Sequence, residues 1–319
     1  MNMTELKLIV NKISKDRDTD IYLLSSDITD SSADDLINEI KKTKTSAQNC
    51  SLLLTTYGGD PDAGFRIVRY IQRAYKEFYL YVFGSCKSTG TLMALGANEI
   101  IMSDFGEFGP LDIQLTKDDE LTNTSGLSYL QSLIALNERL YESFEQNFMS
   151  LKRKSGFTIS TRTAAEISSK LAIGIISPIS AQIDPLKLGE VNRAIRIADD
   201  YGSRLLREKD GSNVLRRLIG DYSSHGFVID YEEARAIFKD TINVRFVNDD
   251  EIILEQNLLH LVRRQTNKTS IFALSNIFAE PDKHTTVEPQ VPIVEENNHK
   301  NQPLNTQENE NAQPIEGTK

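Results

Sequence analysis

Apolar positions in the first third of the chain gather into short unbroken runs that end in glycine and give way to helical spacing. Ser51-Leu52-Leu53-Leu54 is such a run, and it closes in Thr55-Thr56-Tyr57-Gly58-Gly59-Asp60. A continuous apolar stretch of this length, bounded by glycines, predicts a buried strand and a turn. Asp60-Pro61-Asp62 then supplies an N-cap, a proline suited to a first helical turn and an acid that complements the helix dipole, before Gly64, Val68, Ile71 and Tyr75 recur at helical spacing. The plan repeats at once. Phe78-Tyr79-Leu80-Tyr81-Val82-Phe83 is aromatic and β-branched, as strands prefer, and Gly84-Ser85-Cys86-Lys87-Ser88-Thr89-Gly90 closes it. From Ser88 to Ala97 the residues are small and apolar, which predicts a buried helix with Ser88 at its start.

Further along, the periodicity is helical. Leu127 to Lys152, with Leu130, Leu133, Ile134, Leu136 and Leu140 near helical spacing, predicts one helix and Thr163 to Leu171 another. Leu186 to Leu206 predicts a third, opened by Asp184-Pro185. From Pro281 the chain holds five of its nine prolines, many Asn, Gln and Glu, and few apolar groups, so it cannot bury enough surface to order itself.

Composition narrows the setting. A net charge of -10 argues against a nucleic-acid-binding surface. Two cysteines, Cys50 and Cys86, are too few for a disulfide framework in 319 residues, so a reducing compartment is expected. No apolar stretch reaches the roughly 18 residues that span a bilayer, and Met1-Asn2-Met3-Thr4-Glu5-Leu6-Lys7 is not a basic segment followed by a long apolar one. The expectation is a cytoplasmic protein without a membrane partner. No cofactor is expected either: the histidines and cysteines do not cluster at metal-ligand spacing, and the Gly58-Gly59 turn lacks the lysine and hydroxyl of a nucleotide-binding loop.

The two glycine turns suggest acyl transfer. That reaction needs a hydroxyl to attack a carbonyl and N–H donors to receive the oxyanion. Ser88 offers the hydroxyl at a strand-to-helix turn, where free backbone N–H groups favour negative charge. Thr89, as the next residue, and Gly59, whose missing side chain permits close approach, offer the donors. Taken alone, a serine before a helix is more often an ordinary N-cap. Ser85 is a second hydroxyl but would end the strand, and Cys86 reads as a small packed hydrophobe.

In Tyr57-Gly58-Gly59-Asp60, Lys87-Ser88-Thr89-Gly90 and Phe108-Gly109-Pro110-Leu111-Asp112, the chain resembles the ClpP/crotonase superfamily. Ser180 to Glu190 and Ser224 to Ala234 are similar to a narrower group within it, the serine dehydrogenase proteinase family of Clp-fold serine peptidases. The resemblance spans roughly residues 20 to 245; its order and spacing are more specific than any single piece. It implies an α/β fold of repeated β-β-α units, a peptidase-type nucleophile at Ser88, oxyanion donors at Gly59 and Thr89, a protein or peptide substrate and a homo-oligomer. The expected organisation is an N-terminal helical segment (1–20), a Clp/crotonase-like catalytic domain (21–245), a C-terminal helical extension (246–280) and a disordered acidic tail (281–319).

The resemblance does not fix the base. Where the ClpP branch carries histidine and then aspartate, this chain has Asp112 and His225, so the residue types stand exchanged. Of four histidines, His284 and His299 fall in the tail and His260 in an apolar helical run where packing is expected. That leaves His225 as the imidazole base with Asp112 to orient it, against a reading of His225 as a cap before the strand Phe227-Val228-Ile229. Lys154 is the alternative base, while Lys87 is expected to point away from the serine. Two other functions remain open: an acyl-CoA enzyme of crotonase type using Glu99 or Glu107, and a non-catalytic assembly module.

Overall fold

The computed structural model describes residues 3–111, 114–115, 124–207, 210–222, 224, 226–263 and 269–275. The chain divides into Met1–Ala279 and Glu280–Lys319, and the described residues all belong to the first unit. The expected tail therefore lies outside the described residues, as do Asp112 and His225.

In chain order, α1 (Met3–Asp16) leads into β1 (Thr19–Ser25), α2 (Asp30–Thr43), β2 (Asn49–Thr55) and α3 (Pro61–Ala74). Then come β3 (Phe78–Val82), the short β4 (Ser85–Cys86), α4 (Thr89–Ala94), β5 (Glu99–Met102) and the short β6 (Glu107–Phe108). A two-stranded hairpin, β7 (Gln114–Leu115) and β8 (Thr124–Ser125), precedes three helices, α5 (Gly126–Lys154), α6 (Thr161–Ser180) and α7 (Pro185–Leu206). The rest is α8 (Ser212–Gly220), α9 (Tyr231–Phe238), β9 (Asn243–Phe246), α10 (Asp249–Val262) and β10 (Ser270–Ala273).

Six strands form the main sheet in the order β10-β1-β2-β3-β5-β9, parallel throughout except for β10, which runs antiparallel to β1. A parallel sheet is covered on both faces, which is why β1, β2 and β3 read as unbroken apolar runs. Alternate residues serve different layers. Tyr22, Leu24, Leu52, Leu54, Leu80 and Val82 belong to a core shared with α2, α3, α4, α7, α8 and α9. Ile21, Leu23, Leu53, Tyr79 and Tyr81 face the other way, onto Leu6, Ile9 and Val10 of α1 and Leu254, Leu258 and Val262 of α10.

Beside the main sheet, β4 and β6 pair in parallel, and isolated bridges join Thr56 to Cys86 and Phe108 to Ile229. Long strand, short strand, helix is thus the repeating unit: β3, β4 and α4 form one, and β5 with β6 opens the next. The fold is mixed α/β, as expected, and its main sheet is mostly parallel. The segment after residue 246 carries α10 and also β10, which closes the sheet against β1; the pattern in Ser270 to Ala273 is too short to announce a strand.

Candidate active site

The short strands bring the two glycine turns together. Thr56 N–H donates to the Ser85 carbonyl at 2.8 Å, and Lys87 N–H donates to the Thr56 carbonyl at 2.9 Å. Ile28 closes the first turn from below: its N–H donates to the Gly58 carbonyl at 2.8 Å, and its carbonyl accepts from Asp60 N–H at 2.7 Å. Gly58 and Gly59 hold φ of +121° and +135°, a region that side chains avoid. Space imposes the same choice, since a Cβ on Gly59 would lie 2.1 Å from the Ile28 carbonyl oxygen. As expected, Asp60 caps α3, its carboxylate accepting from Asp62 N–H at 2.8 Å, with Pro61 in the first turn.

Ser88 stands between β4 and α4 with φ +49° and ψ -111°. A non-glycine residue in this conformation is strained, at a cost on the order of 1–3 kcal/mol that the surroundings must bear. Neighbouring bonds hold the turn: Gly90 N–H donates to the Lys87 carbonyl at 2.8 Å, Leu92 N–H to the Ser88 carbonyl at 3.1 Å, and Thr91 Oγ1 to the Gly109 carbonyl at 2.7 Å. Although Ser88 is the N-cap residue, its hydroxyl makes no capping bond, nor any other hydrogen bond among the described residues. The ordinary reason for a serine before a helix is therefore absent.

Gly58 lies against it. A Cβ on Gly58 would meet Ser88 Cβ at 2.8 Å and Ser88 Oγ at 3.3 Å. Thr89 Oγ1 donates to the Gly59 carbonyl at 2.6 Å, tying the glycine turn to the first residue of α4. The N–H groups of Gly59 and Thr89 have no acceptor among the described residues. One half-buried hydroxyl and two unspent donors thus share one place at the carboxyl ends of the strands.

The other expected residues divide. Lys154 is exposed at the end of α5 and makes no hydrogen bond or ion pair among the described residues. Lys87, partly buried, becomes a tether. Its Nζ donates to the carbonyls of Phe108 and Phe227, each at 3.3 Å, and pairs with Glu107 at 3.3 Å. Glu107 also accepts from Ser85 Oγ at 2.9 Å. The ribbon that begins two residues after His225 is held to the same place, because Phe108 and Ile229 exchange hydrogen bonds of 2.9 and 3.0 Å. This tether was missed in the sequence; its one signal was a lysine within an otherwise small and apolar turn.

Glu99 belongs elsewhere. It starts β5, at the end of the sheet remote from Ser88, where Arg17, Arg245 and Asn243 bind it. Burial raises its pKa, but the hydrogen bond and charge of Arg17 and the charge of Arg245 outweigh this and hold it below the ordinary value. His260 departs from expectation: it is exposed on α10, whose buried face is formed by Leu254, Leu258 and Val262. Cys86 is fully buried, and desolvation pushes its thiol well up, which leaves it inert as a nucleophile. Among the described residues no group of His, Cys, Asp and Glu is placed to hold a metal ion, and no helix is long and apolar enough to cross a membrane.

No family model matches the chain, and no curated protein does. Solved structures do. Two are forms of the membrane-bound stomatin-specific protease 1510-N. A serine-to-alanine mutant is 18% identical over 72% of this chain and 97% of its own, with a TM-score of 0.29. A lysine-to-alanine mutant in complex with a substrate peptide is 19% identical over 75% and 96%, with a TM-score of 0.30.

Proposed function

We propose that this chain is a Clp-fold serine peptidase, in the manner of the serine dehydrogenase proteinases, with Ser88 as nucleophile. The observation that carries the reading is the strained backbone of Ser88, whose hydroxyl caps nothing and faces the bare Gly58. Strain at a strand-to-helix elbow presents a hydroxyl outward and is the usual device for a nucleophilic serine. In the reaction, Ser88 Oγ forms a bond to the peptide carbonyl carbon while its proton passes to the base. The N–H groups of Gly59 and Thr89 receive the oxyanion, and such a donor is worth about 10²–10³ in turnover. The C–N bond then breaks, the amine leaves with the proton, and water releases the acyl group by the same path.

His225 is the base in this reading, with Asp112 to orient it. Supporting this, the ribbon following His225 is tied to Lys87, the residue next to Ser88. The acyl-CoA alternative loses ground because Glu99 is held by two arginines at the far end of the sheet and Glu107 by Lys87 and Ser85.

The test is fluorophosphonate labelling of the whole chain, followed by intact mass and peptide mapping, with Ser88→Ala, His225→Ala and Lys154→Ala run in parallel. One adduct on Ser88 that slows sharply in His225→Ala is expected. Dependence on Lys154 instead moves the base, and absence of any adduct overturns the peptidase reading.

A further inference from the structure

Helix α10 ends against the two strands that carry the glycine turns. The last carbonyls of a helix have no partner within it, and here the strands supply the donors. Thr55 Oγ1 donates to the Val262 carbonyl at 2.8 Å, and Ser85 N–H donates to the Arg263 carbonyl at 3.3 Å. The approach is close enough to dictate Gly84, where a Cβ would lie 2.1 Å from the Arg263 carbonyl oxygen.

Ser85 is thereby held from both sides. Its N–H goes to Arg263 and its carbonyl accepts from Thr56 N–H, so one row of backbone bonds runs from the end of α10 through the strand before Ser88 to the strand before Gly58. The side chain of Arg263 fixes where that row begins. Its Nε donates to Glu255 at 3.3 Å, and its guanidinium lies 3.3 Å from the centre of the Phe105 ring, a cation held on the face of an aromatic. Glu255, only 5% exposed, also accepts from Ser103 Oγ at 3.1 Å. Ser103 and Phe105 belong to the turn from β5 to β6, so Arg263 joins α10 to that turn.

We propose that Arg263 is a positioning residue for Ser88: its side chain seats the end of α10 on the turn from β5 to β6, and its carbonyl holds Ser85, three residues before the nucleophile. The inference rests on Ser88 being that nucleophile, and it extends the working unit beyond the residues 20 to 245 that carry the family resemblance. Buried charge explains why an arginine stands there. A carboxylate enclosed like Glu255 needs a paired cation. A flat guanidinium meets Glu255 with one edge while its face rests on Phe105, which a lysine ammonium cannot do. Arg263 is one backbone bond from the strand of Ser88 and two from that of Gly58, so a shift in its seat reaches both turns.

The experiment is fluorophosphonate labelling of the full chain over a range of probe concentrations, which separates the saturating rate from the concentration at half-saturation. In Arg263→Ala the saturating rate should fall by about tenfold with half-saturation unchanged, a fraction of the ~10²-fold that a misplacement of an ångström costs. Phe105→Leu, at a half-exposed position, should slow it too, and Arg263→Lys should recover part of the rate. Asn248→Ala, which removes the cap at the other end of α10, should label as wild type. Circular dichroism confirms that each variant folds; where Arg263→Ala does not, Phe105→Leu and Arg263→Lys decide alone. Wild-type rates in the folded Arg263 and Phe105 variants overturn the proposal, as does equal slowing in Asn248→Ala, which would make the stability of α10 the cause. Absence of any adduct on wild-type Ser88 overturns the peptidase reading itself and this inference with it.

Discussion

A single methyl group separates Gly58 from a collision with Ser88: built on Gly58, a Cβ comes within 2.8 Å of the Ser88 Cβ. The two residues belong to successive strand-to-helix turns, and their closeness is the product of the Thr56–Cys86 bridge between them. Gly58→Ala therefore disturbs the candidate nucleophile and its own backbone together, because Gly58 also sits at φ +121°. The expected outcome is a loss of about 1–3 kcal/mol in stability and fluorophosphonate labelling slower by about 10²-fold, the order that a misplacement of an ångström costs. Thermal melts and labelling rates on one preparation check both. Wild-type labelling in a folded Gly58→Ala protein would remove this contact from the site.

Thr89 should link the two turns. Its hydroxyl donates to the Gly59 carbonyl at 2.6 Å, so it orients the peptide plane next to a proposed oxyanion donor. Thr89→Val keeps the shape and deletes the bond, at about 1 kcal/mol in stability. Labelling of Ser88 should slow by about tenfold, equivalent to about 1.4 kcal/mol in the barrier. Unchanged labelling would mean that the donors at Gly59 and Thr89 keep their aim without this strap.

Lys87 should act as a positioning residue. Removing its ammonium in Lys87→Met strands Glu107 beside Ser85 and frees the Phe108 and Phe227 carbonyls, for about 1–3 kcal/mol. The shape of the pH–rate profile for labelling should persist while its height falls. Lys87→Arg keeps the charge on a planar fork and should restore only part of the rate. A complete loss of labelling in folded Lys87→Met would instead assign Lys87 the base itself.

Much of this site is legible in the linear order. Asp60-Pro61 announces a helix start, paired glycines announce a turn, and a serine followed by small residues announces another helix, because caps and turns are set by local chemistry. The strain at Ser88 is not legible, since serine tolerates many backbones and only the packing of α4 under Thr56 and Gly109 imposes this one. Nor is the bond from Lys87 to Phe227, whose partners stand 140 residues apart in the chain. The same holds for β10: four residues of modest hydrophobicity become a strand because β1 presents an open edge. His260 misled through periodicity, as an apolar run on a helix still turns one side to water.

Acid should destabilise the fold through Glu99. Its carboxylate is bound by Arg17 and Arg245 at the start of β5, and its pKa is held below the ordinary 4.5 against a burial penalty that acts upward. A depressed acid contributes stability that is fully present above the unfolded-state value and is lost as pH falls through the folded one. Stability should hold from neutral pH down to about 4.5 as far as this group is concerned, then decline. In Glu99→Gln that decline should be shallower, and the protein should be less stable at pH 7 because Arg17 and Arg245 lose a charged partner. Urea midpoints from pH 7 to pH 3 for the two proteins measure the difference. Parallel curves would show that the arginines gain as much from the other carboxylate beside them, Glu251, as from Glu99.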